Sequence, residues 1–223
     1  VAGIHDESGY RKVRAALAAQ YDLSAREPDL QVTAANLQGD LSVRNQPREP
    51  ISAALQLHHM PQAPTGQLTA QGRLAGAPLE LNLSGHTLAE TGLAVTIDRA
   101  TWKSARATGS LVLAKQAAPF TGKIELSMTR LADLQALLGQ PLAGAVNATL
   151  ETVPQANRPA LQARLTGRDI SVGGKSVAET NLSATITDPW QQPIINGRVT
   201  LAGIAASTLK DGTARLEIAG PIN

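Results

Sequence analysis

Two histidines stand side by side at His58 and His59, and Gly174-Lys175-Ser176 closes the run SVGGKS at residues 171–176. Imidazoles ligate zinc or nickel, and a glycine-rich loop that holds phosphate ends in Gly-Lys-Ser. Neither pattern is completed. Adjacent residues on a strand point to opposite faces, and no Cys and no clear Asp or Glu stands beside the histidine pair to finish a metal site. The phosphate loop needs a glycine five positions before Gly174, where the chain has Asp169, so Gly173-Gly174 reads as a turn. His86, next to Gly85, reads as an exposed polar residue, and Ser84 and Ser104 have no His/Asp arrangement around them in sequence that would make a nucleophile. The expectation is a protein without catalytic residues, metal or organic cofactor, and not an enzyme.

Composition narrows the classes further. The 223 residues suffice for one substantial core or two small ones, without disulfide or metal staples. Cys is absent, which excludes thiolate catalysis and Cys-based metal sites while saying nothing about compartment. Twenty Lys and Arg against 18 Asp and Glu leave a net charge of +2, with the basic residues scattered. Tyr10, Tyr21, Trp102, Phe120 and Trp190 are the only aromatics. Nucleic-acid binding normally needs a concentrated basic stripe with stacking rings, so no nucleic-acid partner is expected. Trp102 and Trp190 read as packing anchors in preference to membrane contacts. No stretch approaches the roughly 20 apolar residues of a membrane-spanning helix. The start, Val1 to Asp6, lacks the pattern of an export signal, and the final IAGPIN reads as a cut just after a strand, so the sequence is expected to be a piece of a longer protein.

The elements are written in a period of two. Leu79, Leu81 and Leu83 alternate with Glu80, Asn82 and Ser84; Leu93, Val95 and Ile97 alternate with Ala94, Thr96 and Asp98. The same alternation runs through Ile124, Leu126 and Met128, then Val146, Ala148 and Leu150, then Leu161, Ala163 and Leu165. It continues through Leu182, Ala184 and Ile186, Val199 and Leu201, and Ala214, Leu216 and Ile218. Glycine and proline punctuate the runs, so about a dozen short strands are expected, forming a curled sheet or a sandwich. Two helices are predicted. One begins near Ser8 in SGYRKVRAALAAQ; the other is TRLADLQALLGQP, with Thr129 as cap, Leu131, Leu134 and Leu138 on one face, and Gly139 with Pro141 as the stop. The second is expected to cover the sheet. One phrase occurs twice: PLELNLSG at 78–85 parallels ALQARLTG at 160–167, and LAETGLAVTI at 88–97 parallels VAETNLSATI at 177–186, the second copy being seven residues longer in between. That tolerance is expected in a loop or turn of a repetitive sheet.

One side of each strand is thus aliphatic and the other polar. Periodicity alone leaves open whether the apolar rows pack into a closed core or line a hollow. A hollow taking hydrocarbon would gain roughly 0.8 kcal/mol per buried methylene, so ten would give on the order of 8 kcal/mol before ordering costs.

Three stretches, GRLAGAPLELNLSG at 72–85, TGLAVTIDRATWKSARATGSLVLA at 91–114 and VAETNLSATITDPWQQPIINGRVTLAGI at 177–204, resemble the periplasmic region of the TamB family, and more broadly AsmA-like envelope proteins. The resemblance runs from about Leu37 to the end. It implies an all-β, elongated, curled antiparallel or mixed sheet, taco-shaped, with a hydrophobic concave groove over residues 37–223; the two helices read from the residues above add a helical or connecting segment at 1–36 and a short helix near 131–138 to that expectation. It also implies a periplasmic location in a Gram-negative envelope, an inner-membrane anchor outside this sequence and an outer-membrane barrel partner. The implied function is a segment of a bridge that shields phospholipid acyl chains between inner and outer membranes, phospholipid being the transported ligand. The alternative is a non-enzymatic assembly module that guides outer-membrane or secreted β-proteins, pairing a strand at an open sheet edge. The expected groove residues are Leu79, Leu81, Leu83, Leu93, Val95, Ile97, Ile124, Leu126, Leu161, Leu165, Leu182, Ile186, Val199, Leu201, Leu216 and Ile218, with Leu131, Leu134 and Leu138 as the helical cover.

Overall fold

The computed structural model describes residues 14–22, 29–41, 49–60, 63–88, 92–114, 121–155, 158–189, 192–206 and 209–221. The described residues are all-β, as the alternation predicts, and their strand pairings are antiparallel, where antiparallel or mixed was expected; the chain divides into two compact units, Val1–Lys103 and Ser104–Asn223. In each unit the strands follow one another in sequence order as an open, curled sheet that does not close into a barrel.

The first unit holds β1 (Arg14–Asp22), β2 (Asp29–Leu41), β3 (Glu49–Met60), β4 (Thr65–Leu74), β5 (Ala77–Leu88) and β6 (Gly92–Trp102). The second holds β7 (Ala105–Ala114), β8 (Thr121–Met128), β9 (Leu142–Gln155), β10 (Arg158–Val172), β11 (Lys175–Thr187), β12 (Ile194–Ala206) and β13 (Leu209–Pro221). The strands are longer than the expected short runs: β9 has 14 residues and β10 has 15. Tight hairpins make this possible. At Gly173-Gly174 both φ angles are positive, 56° and 79°, the geometry of a two-residue type I′ turn whose twist matches its flanking strands.

The N-terminal helix is a correction. Ser8 to Val13 lie outside the described residues, but Arg14–Asp22 is strand β1, pairing antiparallel with β2 from Leu17 opposite Ala34 to Tyr21 opposite Leu30. The helical or connecting segment expected over 1–36 is therefore sheet wherever it is described, and β2 runs across the expected boundary at residue 37. A helix of this length is marginal without a partner surface, whereas a neighbouring strand supplies every second backbone group with a hydrogen bond.

The second helix is smaller than expected. A 3-10 turn at Leu131–Leu134 leads into α1 (Gln135–Leu138), a single α-helical turn. Gly139 ends it in the left-handed region at φ 72°, as the sequence predicts. Thr129 does not cap it; the preceding residue is Arg130, in extended conformation and without a side-chain cap bond. Ser104 replaces the cap: its hydroxyl donates to the Arg130 carbonyl at 3.2 Å and accepts from the Arg130 N–H at 3.1 Å, and its own N–H donates to Asp133 Oδ2 at 3.0 Å.

The doubled phrase is a doubled hairpin. Pro78–Gly85 lies in β5 and Ala160–Gly167 in β10, and each pairs with the strand that follows it in its own copy, Gly92–Ile97 in β6 and Val177–Ile186 in β11. The additional residues of the second copy are not a loop. They prolong the ladder through Ile170 opposite Val177 and Val172 opposite Lys175, so the inserted length becomes sheet.

Candidate functional site: an apolar sheet face

Residues directly opposed in an antiparallel pair point to the same side of the sheet, so the registers fix which side chains share a face. In the first unit, one row runs Leu55, Leu68, Leu83, Ile97 across β3 to β6, and the next runs Leu57, Gly66, Gly85, Val95. A third runs Ala53, Ala70, Leu81, Ala100, and a fourth Ile51, Gly72, Leu79, Trp102. The reverse face carries Gln56, Gln67, Ser84 and Thr96 in register. A bulge at Asp98 keeps the apolar set together. Leu93, Val95 and Ile97 are odd-numbered, Ala100 and Trp102 even, and an unbroken ladder would send one group to the polar side. With Asp98 as the extra residue, held by the Ser84 hydroxyl at 3.1 Å, both groups face the same way.

The second unit repeats the arrangement across more strands. One row runs Ala107, Leu126, Ala148, Leu165, Leu182, Val199, Leu216 from β7 to β13. Its neighbour runs Gly109, Ile124, Leu150, Ala163, Ala184, Gly197, Ile218. Further rows hold Leu161, Ile186 and Ile195 on one side, and Met128, Val146, Thr180 and Leu201 on the other. The hydroxyl of Thr152, opposite Leu161, is buried and has no hydrogen-bond partner among the described residues, as befits a polar atom set in an aliphatic row.

Every residue expected in the groove therefore lies on the apolar face of its own unit. Leu79, Leu81, Leu83, Val95, Ile97, Ile124, Leu165, Leu182, Ile186, Val199 and Leu201 are half-buried, and Leu161 is 8 % exposed. Leu93, Leu126, Leu216 and Ile218 are exposed, Leu216 by 57 % and Leu126 by 44 %. Among the described residues the best-covered large side chains are Trp102 and Met128, each still 7 % exposed. Trp102 is an anchor inside the first unit: its Nε1–H donates to the Leu74 carbonyl at 2.8 Å, and Lys103 Nζ lies 4.8 Å from its ring centre. Trp190 lies outside the described residues. Of the expected helical cover, Leu131 and Leu134 are half-buried and Leu138 is 56 % exposed, while the 3-10 turn packs on β9.

Sequence reasoning missed the hollows that register creates. Gly66 opposes Gly85, and the missing side chains leave an apolar notch of about 230 Å3 walled by Leu55, Leu57, Leu68, Leu83, Leu93 and Val95. Behind the same glycine pair, on the polar face, His58, Thr65, Gln67, Ser84, His86 and Thr96 line a hollow of about 340 Å3. His58 and His59 do not converge, their rings 6.4 Å apart and tilted, with His59 Nδ1 3.3 Å from the Thr65 hydroxyl. Among the described residues no three His, Cys, Asp or Glu side chains gather so as to hold a metal ion. Nor is any described helix long and apolar enough to cross a membrane.

Lys123 Nζ lies 2.6 Å from Glu125 Oε1, and that hydrogen bond and charge push the ammonium pKa up. Arg215 and Arg198 both donate to Glu217 and hold its carboxyl below the usual carboxylate range.

No family model matches the chain, and no solved structure matches it at a significant level. A 43-residue stretch, 19 % of the chain, is 44 % identical to the uncharacterized protein YcgB of Escherichia coli (strain K12) and spans 8 % of that protein. So short a match establishes no family.

Proposed function

We propose that the apolar faces carry hydrocarbon, and that the chain is a segment of a periplasmic, TamB-like or AsmA-like bridge that shields phospholipid acyl chains on their way between two membranes. The observation that carries this reading is the bare aliphatic face: in each unit the described strands form one layer, and Leu93, Leu126, Leu216 and Ile218 on that face remain exposed. Apolar side chains in such a continuous set usually mark a binding surface. An acyl chain laid along it exchanges water contact for aliphatic contact at roughly 0.8 kcal/mol per methylene, with no need for a charged anchor. The polar head group stays in water. The full-length protein would supply a membrane anchor and an outer-membrane barrel partner.

Native mass spectrometry of the purified chain under gentle conditions, followed by lipid extraction, tests this reading. Phospholipid is expected to accompany the folded chain. A chain that is lipid-free after mild purification, and that takes up none from phospholipid vesicles, would overturn it.

A second reading rests on a different feature. β13 is an edge strand of the described sheet, and its exposed Leu216 and Ile218 continue the apolar rows to that edge. An extended segment of an outer-membrane or secreted β-protein would pair there through its backbone, making the chain an assembly module. Saturable binding of a strand peptide at β13, with no lipid on the apolar face, would favour it.

A further inference from the structure

On the polar face of the second unit, the registers of β10 to β13 set Arg164, Ser183, Arg198 and Glu217 in one row across the strands. Gln162, Thr185 and Asn196 stand in the adjacent row. Long side chains flank short ones, and a hollow of about 420 Å3 opens over Ser183 and Thr185. Arg164 and Arg198 sit on the strands either side of β11, so their Cα atoms are about 10 Å apart, two strand spacings. A guanidinium on its long stem spans more than half of that gap, and the two forks can meet above Ser183.

Neighbours already aim both arginines. Arg164 Nη2 donates to Gln162 Oε1 at 3.0 Å, and Arg198 Nη2 donates to Glu217 Oε1 at 3.2 Å. Arg215 Nη2 reaches the same Glu217 oxygen at 3.2 Å. Each guanidinium has five N–H donors, so these bonds leave others for a ligand. Arg164, Arg198 and Arg215 stand around the hollow with Glu217, and on the other side Lys123 stands against both Glu125 and Glu151, so cations outnumber carboxylates around the hollow by one.

We propose that this hollow binds a phosphate group, gripped by the Arg164 and Arg198 forks, with the Ser183 and Thr185 hydroxyls as neutral donors beneath it. A tetrahedral phosphate offers oxygens in several directions, which two forks and a hydroxyl floor satisfy together, whereas a flat carboxylate is satisfied by one fork. Glu217 tempers the site, aligning Arg198 while repelling the anion. The phosphate belongs to a soluble phosphoester or to a lipid head group, the recognition chemistry being shared. Because the hollow is on the polar face, this inference does not rest on the hydrocarbon reading of the other face.

The test is an NMR titration of the full, isotopically labelled chain with inorganic phosphate at constant ionic strength, which holds general screening fixed. Saturable shifts centred on the Ser183 and Thr185 amides are expected. Arg164→Gln and Arg198→Gln should each weaken binding by about tenfold, and Glu217→Gln should tighten it by about threefold. Thr185→Val, which keeps shape and charge, should weaken it by a smaller factor, and unchanged far-ultraviolet circular dichroism would show each variant folded. A parallel arm uses phosphatidylcholine vesicles with and without phosphatidic acid. Vesicle binding that inorganic phosphate competes away and Arg164→Gln abolishes assigns the group to a lipid, whereas phosphate binding without vesicle binding assigns it to a soluble ester; both support the site. Shifts that do not saturate, or equal affinity in the parent and both arginine variants, would overturn it.

Discussion

Leu126→Asp separates a hydrocarbon-bearing face from an ordinary packed one. Leu126 lies on β8 between Ala107 and Ala148 and keeps 44 % of its surface in water. Full burial of a leucine is worth about 1.5–3 kcal/mol, so losing this half-exposed one should cost about 1–2 kcal/mol of stability. The new carboxylate retains access to water and avoids the larger penalty of an unpaired buried charge. The same change at Leu161, only 8 % exposed, brings that penalty in full. For a bound acyl chain the effect is greater. A charged, hydrated group in its path strips apolar contact from about three or four methylenes, about 2–3 kcal/mol, or about 30- to 150-fold in occupancy. The assay is phospholipid phosphorus per purified chain, read beside urea unfolding of the same sample. Ser110→Asp, exposed on the opposite face of β7, is the control and should leave lipid content unchanged. A folded Leu126→Asp variant carrying as much lipid as the parent, or equal loss in the Ser110→Asp control, would refute the reasoning.

Three further outcomes are expected. A methyl group at Gly66 would lie 2.9 Å from Leu57 Cδ2, the free end of a side chain, whereas at Gly85 it would lie 2.9 Å from the Ala94 carbonyl oxygen. Gly66→Ala should therefore stay within about 0.5 kcal/mol of the parent, and Gly85→Ala should lose about 1–3 kcal/mol, by denaturant unfolding. Ser104→Ala removes two hydrogen bonds between the start of the second unit and Arg130. It should cost about 1–2 kcal/mol, and amide exchange should quicken over residues 130–138 more than in β10; uniform exchange would contradict a local tie. Glu217 titrates below its usual range, first because of Arg215 and then Arg198. Its ion pairs thus add stability that is present above its unfolded-state pKa and fades as pH falls through the lower folded-state value. In a carboxyl NMR titration, Arg215→Ala should raise the Glu217 midpoint more than Arg198→Ala; an ordinary midpoint in the parent would contradict the pairing.

The strands were readable because a half-buried sheet writes its period of two directly into the chain, as Leu79-Leu81-Leu83 does. What the sequence hid was register. The odd set Leu93 to Ile97 and the even pair Ala100 and Trp102 share a face because Asp98 bulges, and nothing in the local pattern marks that residue as the extra one. Likewise Gly66 and Gly85 are 19 positions apart and look like turn signals, yet they oppose each other inside strands and open a notch. The Arg164, Ser183, Arg198 row draws on three strands, so no spacing in the chain announces it. Arg14–Asp22 misled for another reason: an alanine-rich stretch fits helix and strand alike, and the strand beside it decides. In the doubled phrase the added length was legible, but its place in the ladder was not, because Gly173-Gly174 turns the chain tightly only after four further residues have paired.

The aliphatic, almost ring-free composition has a structural counterpart. Two sheets packed face to face interdigitate until their inner side chains are nearly out of water, and large rings help fill such a space. Within each unit the described strands form one succession, with no second sheet among the described residues, and the rows mix leucine and isoleucine with alanine and glycine. Such a face has relief but little bulk. Its own strands gain stability from the backbone ladder and from neighbours along each row, leaving apolar surface at Leu126, Leu216 and Ile218 still in water. Any apolar ligand that covers that surface binds the folded sheet and not the unfolded chain, so occupancy and stability are linked, and about a hundredfold excess over the dissociation constant adds roughly 2.7 kcal/mol. Lipid content and unfolding midpoint must then fall together when the face is spoiled, whereas a polar-face substitution away from the Arg164 and Arg198 hollow, such as Ser110→Asp, can move one only through the fold itself.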